Sequence, residues 1–197
     1  MVMQTRHIPD ESKSMSETRY VALLRGINVG GNNLIKMSDL RDSFANMKLT
    51  NVATYIQSGN VVFSAKQTSK AKLAELIEKA LSEAFSYESR VVLISETEIE
   101  QVLSQAPKKF GQEVDLYRYD VLFVRDPLKA TELLEALPIA PGVDTAYAGD
   151  HAVYFRRLIA RADESKLTKL GQRAVFKNIT VRNWNTTIKL AAMLRKE

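Results

Sequence analysis

Two periodicities alternate along this 197-residue chain, and they do so twice in the same order. Runs of β-branched and apolar residues mark strands, while apolar residues three and four apart mark helices. In the first half, Tyr20 to Asn28 reads as a strand, and Ser38 opens a helix with Met37, Leu40, Phe44 and Met47 on one face. Val52–Gln57 and Asn60–Ala65 form two short strands around a tight Ser58-Gly59 turn. Leu73, Leu76, Ile77, Ala80, Leu81, Ala84 and Phe85 line the clearest helix. Arg90–Ile94 is the fourth strand, and Ser95 with Glu98 has the spacing of a capping box for another helix.

The order then returns. Leu116–Arg125 is a strand, and Asp126-Pro127 reads as an N-cap followed by the proline favoured at the first helical position. Asp144–Ala148 and Ala152–Arg157 flank a Gly149-Asp150 turn. Leu167, Leu170 and Ala174 mark a helix, Ile179–Arg182 a short strand, and Asn185 onward a last helix. The pattern predicts an α+β fold of two tandem ferredoxin-like (βαββαβ plus terminal helix) modules, 18–113 and 114–197. One intertwined α+β domain using the same strands is the alternative arrangement. Two modules of this size need to share an interface to bury enough apolar surface. Residues 1–17 are polar, lack a signal-like apolar core and read as a disordered N-terminal extension.

Topology gives the strongest site argument. In a βαββαβ unit, the loop after strand one and the hairpin between strands two and three lie at the same end of the sheet. Here these are Arg25–Asn33, with Arg25, Gly26, Asn28, Gly30, Gly31 and Asn32, and the hairpin Gln57, Ser58, Gly59 and Asn60. Backbone N–H groups at a helix start, amide side chains and the Arg25 charge suit a small anionic or polar ligand. Glycine and asparagine also serve turns when nothing binds, and asparagine side chains can be consumed by the loop's own backbone. A second constellation, Arg182, Asn183, Trp184 and Asn185, holds the only tryptophan. Asn183 or Asn185 can cap the last helix and Trp184 can anchor it. As ligand contacts they require the packing of the two modules to bring them to the first site.

Several chemistries are disfavoured. Gly26-Ile-Asn-Val-Gly-Gly31 has P-loop glycine spacing but is followed by Asn32-Asn33 rather than Lys-Ser/Thr. The absence of cysteine removes disulfides, zinc-thiolate sites and thiol nucleophiles together. The two histidines lie far apart in the sequence, and no metal motif is present. The sequence assigns no catalytic residue and no cofactor, and leaves the oligomeric state open. An enzyme acting on a phosphate-bearing substrate in the same cleft is the alternative to a binding protein. The net charge of +5 is concentrated in residues 151–197, so nonspecific nucleic-acid binding by this basic quarter is a third reading. The stacking aromatics and consensus of an RNA-recognition module are not matched. With no apolar run of about 18 residues, no membrane span is expected, and the composition is that of a cytoplasmic protein.

Three motifs in order carry a family resemblance. Tyr20-Val-Ala-Leu-Leu-Arg-Gly-Ile-Asn-Val-Gly-Gly with Ile35-Lys-Met-Ser-Asp-Leu40, then Thr54-Tyr-Ile-Gln-Ser-Gly-Asn-Val-Val-Phe63, then Thr180-Val-Arg-Asn-Trp-Asn185 resemble the domain-of-unknown-function 1697 family. The resemblance runs from about Thr18 to the C-terminus. It implies a bacterial-type soluble protein with two α+β subdomains and brings no activity, substrate or catalytic residue.

Overall fold

The computed structural model describes residues 17–28, 33–66 and 68–195, so the expected N-terminal extension lies almost wholly outside the described residues. The first half contains β1 (Glu17–Leu24), α1 (Met37–Asn46), β2 (Thr50–Tyr55), β3 (Asn60–Lys66), α2 (Lys70–Phe85), β4 (Val91–Ser95) and α3 (Glu96–Ser104). The second contains β5 (Tyr117–Val124), α4 (Ala130–Ala136), β6 (Asp144–Ala148), β7 (Ala152–Leu158), β8 (Ile179–Asn183) and α5 (Trp184–Leu194). The strands form two four-stranded sheets, ordered β2-β3-β1-β4 and β6-β7-β5-β8, with antiparallel neighbours throughout.

Alternation along the central strands explains why both faces of each sheet are buried. Tyr20, Ala22 and Leu24 of β1 point into a core with Leu40 and Phe44 of α1 and Leu73, Ile77 and Leu81 of α2. Val21 and Leu23 point the other way, into a core shared by the two sheets. There they meet Ile99 and Val102 of α3, Leu190 and Leu194 of α5, and Val121, Phe123 and Tyr154 of the second sheet. The outer face of the second sheet closes over Leu122, Leu133, Phe155, Leu170 and Ile179. Helix α5 touches β1 and β3 as well as β5 and β8. Each half thus completes its burial against the other.

The two sheets match in register. Tyr20 pairs with Ser95 and Leu24 with Val91; Asp120 pairs with Asn183 and Val124 with Ile179. Ser95 forms the expected capping box with Glu98 at α3, and Asn183 caps α5 by accepting from the Thr186 N–H. Beyond the paired ends, Arg25 N donates to Arg90 O and Arg125 N to Asn178 O. Arg25 and Arg125 therefore hold equivalent positions.

Three expectations change. The helix expected from Asp126-Pro127 starts only at Ala130. The Asp126–Pro127 bond is cis, Leu128 N donates to Arg125 O, and Lys129 is the N-cap, its N–H held by Glu132. The helix expected around Leu167, Leu170 and Ala174 is instead a series of 3₁₀ segments, Ile159–Glu164, Leu167–Gln172 and Ala174–Asn178. Extended backbone at Arg173 interrupts it, and Leu170 but not Ala174 is buried, so the three residues share no helical face. Strand β1 ends at Leu24 rather than Asn28, because Ile27 turns into the core while Asn28 N donates to Asn33 O to close the loop.

Candidate functional site

The loop after β1 and the β2–β3 hairpin meet, as the topology requires. Asn28 Nδ2 donates to Gln57 O at 2.9 Å and to Ile35 O at 3.0 Å, while Asn28 Oδ1 accepts from Ile35 N. Asn33 Nδ2 donates to Gly26 O. Gly59 adopts φ +74°, and a Cβ there would lie 2.8 Å from Ile27 Cδ1 and Leu24 Cβ, so the junction requires glycine. Asn60 is fully buried, donating to Tyr55 O and Ser58 Oγ. These amides hold the loop and hairpin together instead of facing a ligand. Gln57 is exposed, and Gly30, Gly31 and Asn32 lie outside the described residues.

Packing of the two sheets brings Arg182 to this hairpin. Its guanidinium donates to Asn60 Oδ1, Thr180 Oγ1, Val181 O, Leu24 O, Ser58 O and Gly59 O at 2.5–3.3 Å. All five N–H groups are taken up by these acceptors, leaving none for a ligand. Asn183, Trp184 and Asn185 do not converge there. They line a separate cleft with Gly111, Tyr117 and Asp120, where the Trp184 ring packs edge-on against Phe110.

The charge gathers on the other side of the Arg25 loop. A cleft of ≈ 470 Å³ opens between the ends of β1 and β5 and the starts of β4 and β8. Arg25, Gly26 and Asn33 line it, together with Arg90, Arg125 and Lys177. Arg25 Nη1 donates to Lys177 O at 2.6 Å, and its guanidinium lies 4.6 Å from the centre of the Phe176 ring. Burial, and then the Arg90 charge, hold the Arg25 guanidinium below its ordinary pKa. Glu78 stands behind the cleft. Its Oε1 accepts from Val91 N at 2.9 Å, and its Oε2 accepts from Arg125 at 2.9 Å and lies 3.5 Å from Arg90. Glu88 pairs with Arg90 at the rim. Among the described residues, the Lys177 ammonium has no hydrogen-bond or ion-pair partner.

Of the residues lining this cleft, sequence reasoning singled out Arg25 and Gly26 but not Arg90, Arg125 or Lys177. Arg125 had a signal, its place at a strand end equivalent to Arg25. Arg90 and Lys177 had none, because each precedes a strand whose position is set by tertiary pairing. Four arginines of the basic C-terminal quarter lie against acidic or aromatic partners. Arg157 faces Asp120, Arg161 holds Glu164 and Arg195 holds Glu100, while Arg156 covers the Tyr117 ring. No group of side chains suited to a metal ion occurs among the described residues, and no helix among them is long and apolar enough to cross a membrane.

Comparison with known proteins agrees with this architecture. No curated protein matches the chain. The conserved bacterial protein SP0830 from Streptococcus pneumoniae is similar in structure, with a TM-score of 0.79 and 30% sequence identity over 91% of this chain and 100% of its own. The profile of the DUF1697 proteins, described as proteins of unknown function, matches residues 17–154, most of the sequence, and the chain belongs to that family.

Proposed function

We propose that this protein binds a small anionic ligand in the cleft between the strand ends, with Arg25, Arg90, Arg125 and Lys177 as the charged contacts. The observation that carries this reading is the gathering of four cationic side chains from both sheets around one ≈ 470 Å³ cleft. Among the described residues, only Glu78 and Glu88 are paired with them. Lys177 and most of the Arg25 fork keep N–H groups for a ligand, and the cleft volume falls in the range of small-molecule sites. Arginine forks suit phosphate and carboxylate oxygens. The same reading takes each sheet and its helices as one ferredoxin-like module of a tandem pair, divided near residues 113 and 114. It places the protein in the cytoplasm, in keeping with its lack of cysteine.

The test is a thermal-shift and calorimetric titration with inorganic phosphate, pyrophosphate and nucleoside phosphates, run beside Arg25→Gln and Lys177→Ala. An anion at 100 times its dissociation constant adds about 2.7 kcal/mol, which is roughly 5–10 °C in melting temperature for a chain of this size. Each substitution is expected to weaken binding about tenfold. Anion binding of unchanged affinity in both folded variants would remove the cleft as the site.

A further inference from the structure

The cleft that holds Trp184 lies apart from the cationic one and contains a carboxylate, Asp120, to which no hydrogen bond is donated among the described residues. It has a volume of ≈ 490 Å³ and sits where β5 runs past the end of β8, so the edge of Tyr117–Tyr119 has no β8 partner. Asp120 lines it with only 13% of its side chain exposed. Its Oδ2 is buried and has no hydrogen-bond partner among the described residues. The nearest cation, Arg157, stands 3.7 Å away, beyond hydrogen-bond length. Buried polar atoms without partners are rare in folded proteins and call for an explanation, such as a missing ligand or water. Burial, outweighing the charges of Arg157 and Arg118, raises the Asp120 pKa, so the carboxylate is poorly compensated by its own protein.

The rest of the wall restricts what could complete it. The Trp184 indole supplies an apolar, aromatic surface, held by Phe110 at a ring-centroid distance of 5.2 Å. Arg118 is exposed at the same cleft and Arg157 lies beside Asp120. A carboxylate only accepts hydrogen bonds, and its two oxygens match two adjacent N–H donors. An aromatic wall favours a planar partner, and the arginines favour an anionic tail.

We propose that this second cleft binds a guanine-type nucleotide, its ring and exocyclic N–H groups pairing with Asp120, its ring lying against Trp184 and its phosphate reaching Arg118. Adenine fits poorly, because it presents a ring acceptor beside its amino group and would set a lone pair against the carboxylate.

Trp184 is the only tryptophan in the chain, so intrinsic fluorescence reports on this cleft directly. GMP titrated into the full-length protein is expected to change Trp184 emission saturably, with AMP at least tenfold weaker. Asp120→Asn, which preserves shape, is expected to weaken GMP roughly 10- to 100-fold. Arg118→Ala, at an exposed position, is expected to weaken GMP while leaving guanosine unchanged, and it serves should Asp120→Asn unfold. Unaltered emission at millimolar GMP would overturn the proposal. So would equal affinity for AMP, or full GMP affinity in either folded variant.

Discussion

Arg182 Nε donates to Asn60 Oδ1 at 2.5 Å, joining the edge strand of the second sheet to the hairpin of the first across 122 residues of sequence. The cation is 9% exposed and faces carbonyl, hydroxyl and amide oxygens but, among the described residues, no carboxylate. Burial accordingly lowers its pKa to about 10. It stays charged at neutral pH because its donors are satisfied, which is the condition under which a buried charge is tolerated.

Replacing Arg182 should therefore be costly. Arg182→Met leaves Asn60 Oδ1 and the Leu24 and Ser58 carbonyls without their donor, and a loss of roughly 3 kcal/mol or more is expected. Arg182→Lys should rescue little, since one ammonium cannot span the acceptors that the guanidinium fork reaches. Urea denaturation measures both. A loss under about 1 kcal/mol would mean that these bonds do not hold the two sheets together.

Glu78→Gln separates stability from binding. The amide oxygen can still accept from Val91 N, but Arg90 and Arg125 lose their shared countercharge. Stability should fall by roughly 1–3 kcal/mol, while phosphate or pyrophosphate binds more tightly because the cleft gains positive charge. Weaker anion binding in the folded variant would contradict this assignment of Glu78.

Gly111→Ala reports on the Trp184 packing. Gly111 has φ +84°, and a Cβ there would lie 2.2 Å from Trp184 Cδ1. The indole or the backbone must shift, and a loss of roughly 1–3 kcal/mol is expected together with altered tryptophan emission. An unchanged spectrum and stability would show that the ring does not rest on this glycine.

Acid should weaken the protein partly through Glu98. Burial alone would raise this carboxyl. The Lys70 hydrogen bond, the Ser95 N–H and the charges of Lys70 and His151 outweigh burial and bring it below its ordinary 4.5. A group depressed on folding contributes stability above its unfolded pKa and loses it as pH falls through the folded value. Glu98→Gln keeps the capping geometry but not the charge. Its stability should decline less steeply below pH 4.5 than the parent's in urea titrations at stepped pH. Parallel acid limbs would exclude Glu98 from this dependence.

Periodicity alone determined much of this protein. The eight strands, the capping box at Ser95 and the meeting of the Arg25 loop with the Gln57–Asn60 hairpin follow from alternation, caps and turn residues, all of which act over a few residues. Local signals failed at Pro127 and at Leu167–Ala174, where a capping dipeptide and an apolar spacing fit a helix but tertiary packing favoured a turn and 3₁₀ segments. The sites depended on more distant relations. Asn28 and Asn60 carry the polarity expected of ligand contacts, yet only the folded chain shows that loop and hairpin consume it. Arg182 moved from presumed anion contact to the link between sheets, while Arg90, Arg125 and Lys177 became neighbours. Charge and hydrogen-bonding capacity are written in the sequence. Which partner satisfies each group is decided by the docking of two sheets through a shared core, and that docking rests on non-directional apolar burial over residues a hundred positions apart.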